Sequence, residues 1–111
     1  MDLDSLRSQR EEMLEQVLRG PGVVSAELRQ AAAAGKGLPP DLAAFVEKVH
    51  RHAYQVTDEE VAALQARYGD DAVYEIVVAA ALGAADQRHQ AGMRALVEAT
   101  SASAPRGEEA A

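Results

Sequence analysis

The stretch Asp70–Val97, DDAVYEIVVAAALGAADQRHQAGMRALV, decides the fold. Its first half is apolar or small on every side except for one carboxylate, Glu75, so a helix built from it asks to be buried all round. Asp70 or Asp71 is placed to cap it. At about 1.5 Å per residue this helix would span about 40 Å, whereas a compact domain of this size has a radius of gyration of about 13 Å. The helix must therefore kink, with Gly83 as the weak point, or extend beyond its own monomer and be covered by another subunit. The small residues Ala79 and Gly83 are expected to seat a close helix contact across such a subunit interface.

Working outward, the preceding segment carries the clearest local signal. In Val56-Thr57-Asp58-Glu59-Glu60-Val61, Thr57 and Glu60 have the spacing of a capping box, and Val56 and Val61 that of a hydrophobic staple. A helix starts there, buries Val61, Leu64 and Tyr68, and stops at Gly69. Before it, Leu42, Phe45, Val46, Val49 and Ala53 recur at spacings of three and four, which predicts a helix from about Pro40 to Tyr54 with one core face. The loop Gly35–Pro40 ends a short helix that opens with Ser25 as N-cap and runs to Ala34. The first helix has its apolar stripe at Leu3, Leu6, Met13, Leu14, Val17 and Leu18, and Gly20-Pro21-Gly22 ends it, with Gly in a left-handed turn. After Thr100 no apolar periodicity is left. Residues 1–99 are thus expected as one all-α domain, a helical bundle of about five helices, and residues 100–111 as a disordered tail.

Composition excludes several functions. A net charge of -7 argues against nucleic acid and against an anionic membrane surface, both of which need clustered Lys and Arg. The apolar run from Ala72 to Ala85 is shorter than the roughly 18 residues of a membrane span. The segment MDLDSLRSQREE is acidic and amphipathic, unlike a secretory signal, so a cytoplasmic location is expected. The chain has no cysteine, which removes disulfides, thiolate nucleophiles and Cys-ligated metals together. Nucleotide-loop, H-E-x-x-H and EF-hand patterns are missing too, and neither cofactor nor metal is expected.

From Lys48 to Leu96 the sequence KVHRHAYQVTDEEVAALQARYGDDAVYEIVVAAALGAADQRHQAGMRAL resembles the alkylhydroperoxidase D-like, or carboxymuconolactone decarboxylase-like, superfamily. The similar elements are a helix ending in Ala53-Tyr54, the V-T-D-E-E capping box, a short helix, and an aliphatic helix with Glu75 ahead of A-A-A-L-G. The resemblance implies an all-α fold that assembles as a homo-oligomer through the helix from Asp70 to Val97. Family peroxidases carry C-x-x-C and a histidine on the helix before the capping box. Read back from Thr57, these positions fall near Pro40, Ala43 and Glu47, so thiol peroxidase chemistry by this chain alone is excluded. The decarboxylase branch does proton-transfer chemistry on a lactone acid and is not bound to that motif.

Three functions remain. The first is an oligomeric, non-catalytic or accessory subunit. The second is a decarboxylase-like enzyme with Glu75 and His50 as acid and base and with Arg51 or Arg67 holding a substrate carboxylate. The third is a partner for a cysteine-bearing paralogue. Glu75 is the most informative residue, because a lone carboxylate in an apolar run must pair, stay protonated or line a cavity, unless it lies on the open edge of the first turn. His50 lies one turn from both Glu47 and Tyr54, a spacing that would orient its ring. His50 and His52 point about 200° apart on a helix and share no ion. Asp86, Arg88 and His89 form a polar band where the last helix emerges into water, with Asp86 and His89 one turn apart.

Overall fold

The computed structural model describes residues 2–110, with side chains up to residue 101. Five α-helices follow one another: α1 Leu3–Arg19, α2 Ala26–Ala34, α3 Pro40–Arg51, α4 Asp58–Tyr68 and α5 Asp70–Ala110, with a 3-10 turn, Ala53–Gln55, between α3 and α4. No strand occurs among the described residues. The segment expected as a tail, 100–111, falls almost wholly on residues 102–111, which lie outside the described side chains.

Local chemistry accounts for the helix boundaries. Ser25 accepts the Leu28 N–H at 3.1 Å and Thr57 accepts the Glu60 N–H at 3.1 Å, each satisfying a donor that has no partner within its own helix. Gly35 ends α2 in the left-handed conformation, φ 74°, which costs glycine nothing. Gly20 ends α1 differently from expectation, with φ −69° and ψ 175°. Glycine is required there for space, since a Cβ would lie 2.4 Å from the Gln16 carbonyl oxygen. α3 stops at Arg51, three residues short of Tyr54, so Ala53 lies in the exposed turn and leaves the core face.

α5 is the axis of the molecule and packs against every other helix. Its face Ala72, Val73, Ile76, Ala79, Ala80 and Ala84 meets Leu42, Phe45 and Val46 of α3, Leu64 of α4 and Ala32 of α2 in one core. Full burial of side chains such as Phe45, Leu42, Ile76 and Val46 contributes about 1.5–3 kcal/mol each. The opposite side of the same half is open, with Tyr74 71% exposed and Ala81 and Ala85 at the surface, so burial is one-sided.

α5 runs through Gly83 as continuous helix. A Cβ on Gly83 would sit 2.2 Å from the Ala33 carbonyl oxygen and 2.5 Å from the Ala33 Cα, so Gly83 is where α2 crosses α5 backbone to backbone. The close contact expected across a subunit interface at Gly83 is thus made inside the chain, by α2, and Ala79 is buried in the chain's own core. From Gln87 to Ser101 every α5 residue is exposed, and the molecule measures 65 × 29 × 23 Å.

Candidate functional site

The connector between α1 and α2, Gly20–Ser25, lies between Glu75 and Arg29, the one buried charged residue among the described residues. Arg29 lies on the buried face of α2 with Ala32 and Ala33, and is only 5% exposed. Its Nη1 donates to the Val17 carbonyl at 2.8 Å, its Nη2 to the Gly20 carbonyl, and its Nε to the Val24 carbonyl at 3.2 Å. Two of those carbonyls close the C-terminus of α1, where the helix dipole favours a cation. From the other side, Glu75 of α5 accepts the Val23 N–H at 2.8 Å and the Val24 N–H at 3.1 Å, one on each carboxylate oxygen. Gly22 passes between the two charged groups. A Cβ there would lie 2.4 Å from Glu75 Oε1 and 3.5 Å from Arg29 Cζ.

This resolves how a lone carboxylate is tolerated in the apolar half of α5: it is solvated by backbone N–H groups of a loop 50 residues upstream. Beside it lies an open cleft of about 410 Å³, walled by Val17, Pro21 and Val78 and rimmed by Gln16, Asp71 and Tyr74. Arg29 and Glu75 line it as well. The volume suits a small ligand.

His50 belongs to another surface. Its Nε2 lies 2.9 Å from the Ala32 carbonyl oxygen, which can only accept, so Nε2 carries the hydrogen of that bond. With Glu47, Arg51 and Gln87 it lines a shallow recess of about 120 Å³. Gln87 is twelve residues beyond Glu75 on α5, about 18 Å along the axis, so Glu75 and His50 face different recesses. Among the described residues neither Glu47 nor Tyr54 makes a hydrogen bond to the His50 ring; Tyr54 instead meets His52 edge-on at 5.9 Å.

Arg67 is held on a third surface. It pairs with Asp41 at 3.1 Å and lies 5.4 Å from the Tyr68 ring centre, and the Tyr68 hydroxyl donates to both Asp41 oxygens at 3.0 and 3.1 Å. This cluster ties α4 to the start of α3. Burial pushes the Asp41 carboxyl up, but the Tyr68 hydroxyl, the Leu42 N–H and Arg67 together outweigh it and hold its pKa below the ordinary value. Burial and the Asp41 hydrogen bond raise that of the Tyr68 hydroxyl. Beside it, Glu60 binds Lys48 of α3 at 2.9 and 3.0 Å, and Lys48, with the Thr57 N–H, holds the Glu60 carboxyl low against its desolvation.

Of the four residues expected at a site, only His50 and Arg51 share a recess. Asp86 pairs with Arg10 of α1 and with Gln90 at 2.8 Å, and His89 is not its partner. No group of three or more metal-ligating side chains occurs among the described residues, and no helix among them is long and apolar enough to cross a membrane. Sequence reasoning missed Arg29. Its one signal was a charge at the i, i+3, i+4 spacing of a small-residue face, Arg29-Ala32-Ala33. Comparison of the chain with protein-family models, with curated proteins and with solved structures returned no match.

Proposed function

We propose that this chain is a non-catalytic assembly subunit of the alkylhydroperoxidase D-like type, built without a thiol centre. The observation that carries the reading is the employment of Glu75: both its oxygens hold the α1–α2 connector, and the nearest histidine candidate faces a recess about 18 Å away along α5. An acid and a base that act on one substrate must reach the same few ångströms. A cytoplasmic location and self-association through α5 belong to the same reading, supported by the acidic, amphipathic segment MDLDSLRSQREE, which is unlike a secretory signal, and by the exposed apolar residues of the far half of α5.

A second reading, a decarboxylase-like enzyme, is favoured by the cleft of about 410 Å³ beside Glu75. One experiment separates the two. Glu75→Gln replaces one accepting oxygen by an NH₂ group that opposes a backbone N–H. If Glu75 is a brace, the variant loses about 1–2 kcal/mol of stability in urea denaturation, and the wild-type chain shows no turnover of a lactone bearing a carboxylate. Wild-type turnover that Glu75→Gln abolishes while the urea midpoint stays put would overturn the subunit reading.

A further inference from the structure

We propose that two copies of this chain pair through the groove between α1 and the far half of α5, each closing the groove of the other. The inference rests on the reading of the chain as an assembling subunit and assigns the surface and the partner.

α1 runs antiparallel along α5, with Leu6 beside His89 and Met93 at one end and Leu14 beside Leu82 and Ala85 at the other. Although α1 carries a full apolar stripe, none of its residues is buried. Two recesses between the helices, of about 130 and 260 Å³, are followed by a third, of about 270 Å³, on α5 alone. The first two share Arg10 and His89 and the last two share Met93, so they form one groove from Leu82 to Val97. That is about 22 Å of helix, close to the roughly 25 Å of an α1.

Two helices side by side leave their seam open to water, and a second pair closes it as in a four-helix bundle. Here the open seam is substantial: Leu3 is 78% exposed and Val97 60%, with Leu6, Met13 and Met93 at 44–47%, and Leu96 beside Val97 is 59% exposed. Their apolar surface is on the order of 500 Å² per chain, so pairing two copies removes on the order of 1,000 Å², the threshold of a specific interface. Charge also fits a second copy. Arg7 and Arg94 line the groove without an ion pair among the described residues, and an incoming α1 brings Glu11 and Glu12, which make none within their own chain among those residues either.

The test is sedimentation velocity of the full chain from about 1 to 100 µM, with Met93→Glu and Val97→Glu as groove variants and Tyr54→Glu, an exposed aromatic in the 3-10 turn, as control. The expected result is a wild-type dimer that either groove variant weakens about tenfold or more, with helix content unchanged by circular dichroism, and that Tyr54→Glu leaves intact. Self-association that survives both groove variants would overturn the groove and leave the assembly reading standing. A wild-type chain monomeric across the range would overturn both. A monomer that binds an acidic helix of another protein in the groove would replace the second copy by that partner.

Discussion

Gly83 and Gly92 of α5 sit nine residues apart in one unbroken helix and live in opposite surroundings. At Gly83 a methyl group would strike the Ala33 backbone at 2.2 Å, whereas at Gly92 nothing lies within 4 Å. The half around Gly83 is organised by what crosses it: α2 against the backbone, α3 and α4 against Ile76, Ala79 and Ala80. The half around Gly92 has the loosely seated α1 alongside and, at its near end, only the Gln87 and Arg88 side chains reaching the Ala33 and His50 carbonyls among the described residues, and its Met93, Leu96 and Val97 remain in water. Alanine, leucine and valine stand in both halves, so residue type alone does not set burial; the presence of a helix to pack against does.

That contrast can be broken first at Gly83. Gly83→Ala has to push α2 off α5, and overpacking at a backbone contact is expected to lower stability by about 3 kcal/mol, measured by urea denaturation. A loss below about 1 kcal/mol would show that the crossing gives way cheaply. Gly92→Ala should move the other way, raising stability by about 0.5–1 kcal/mol, because alanine is the better helix former where nothing is met. The pair of substitutions, the same methyl added nine residues apart, measures the difference between the halves directly.

The smallest effect expected lies in the brace that holds α4 to α3 beside the packed half. Asp41 has a folded pKa below its ordinary value, so its contribution to stability is fully present above the ordinary carboxylate range and is lost as pH falls through the folded pKa. Tyr68→Phe removes the hydroxyl that helps to hold it down. The variant is expected to be less stable than wild type at pH 7, with the gap narrowing by pH 3, read from urea midpoints at the two values. A gap that stays constant with pH would show that the hydroxyl acts on something other than the Asp41 charge.

How much of this could be read beforehand depends on the range of the interaction. The caps at Ser25 and Thr57, the stop of α2 at Gly35 and the core stripe Leu42-Phe45-Val46 are settled within one turn of helix, and each was legible. Glu75 stood out as a lone charge in an apolar run, but its partners, the Val23 and Val24 N–H groups, lie some 50 residues away and bear no side-chain mark. Arg29 was overlooked because carbonyls of the backbone, unlike carboxylates, leave no trace in a sequence. His50 and Arg67 invited chemical roles by residue type, and each is held by a single neighbouring helix or loop group once the chain is folded.

By itself, then, the amino-acid sequence determined an all-helical chain with its breaks at the glycine and proline turns, and excluded thiol chemistry, because propensity, capping and residue inventory act locally. Only the tertiary structure decided that Gly83 of α5 receives α2, that Glu75 holds a loop, and that the apolar surplus lies along α1 and the far half of α5. The physical reason is that apolar pattern states how much surface must leave water, while which surface covers it depends on helix crossings that no local period encodes.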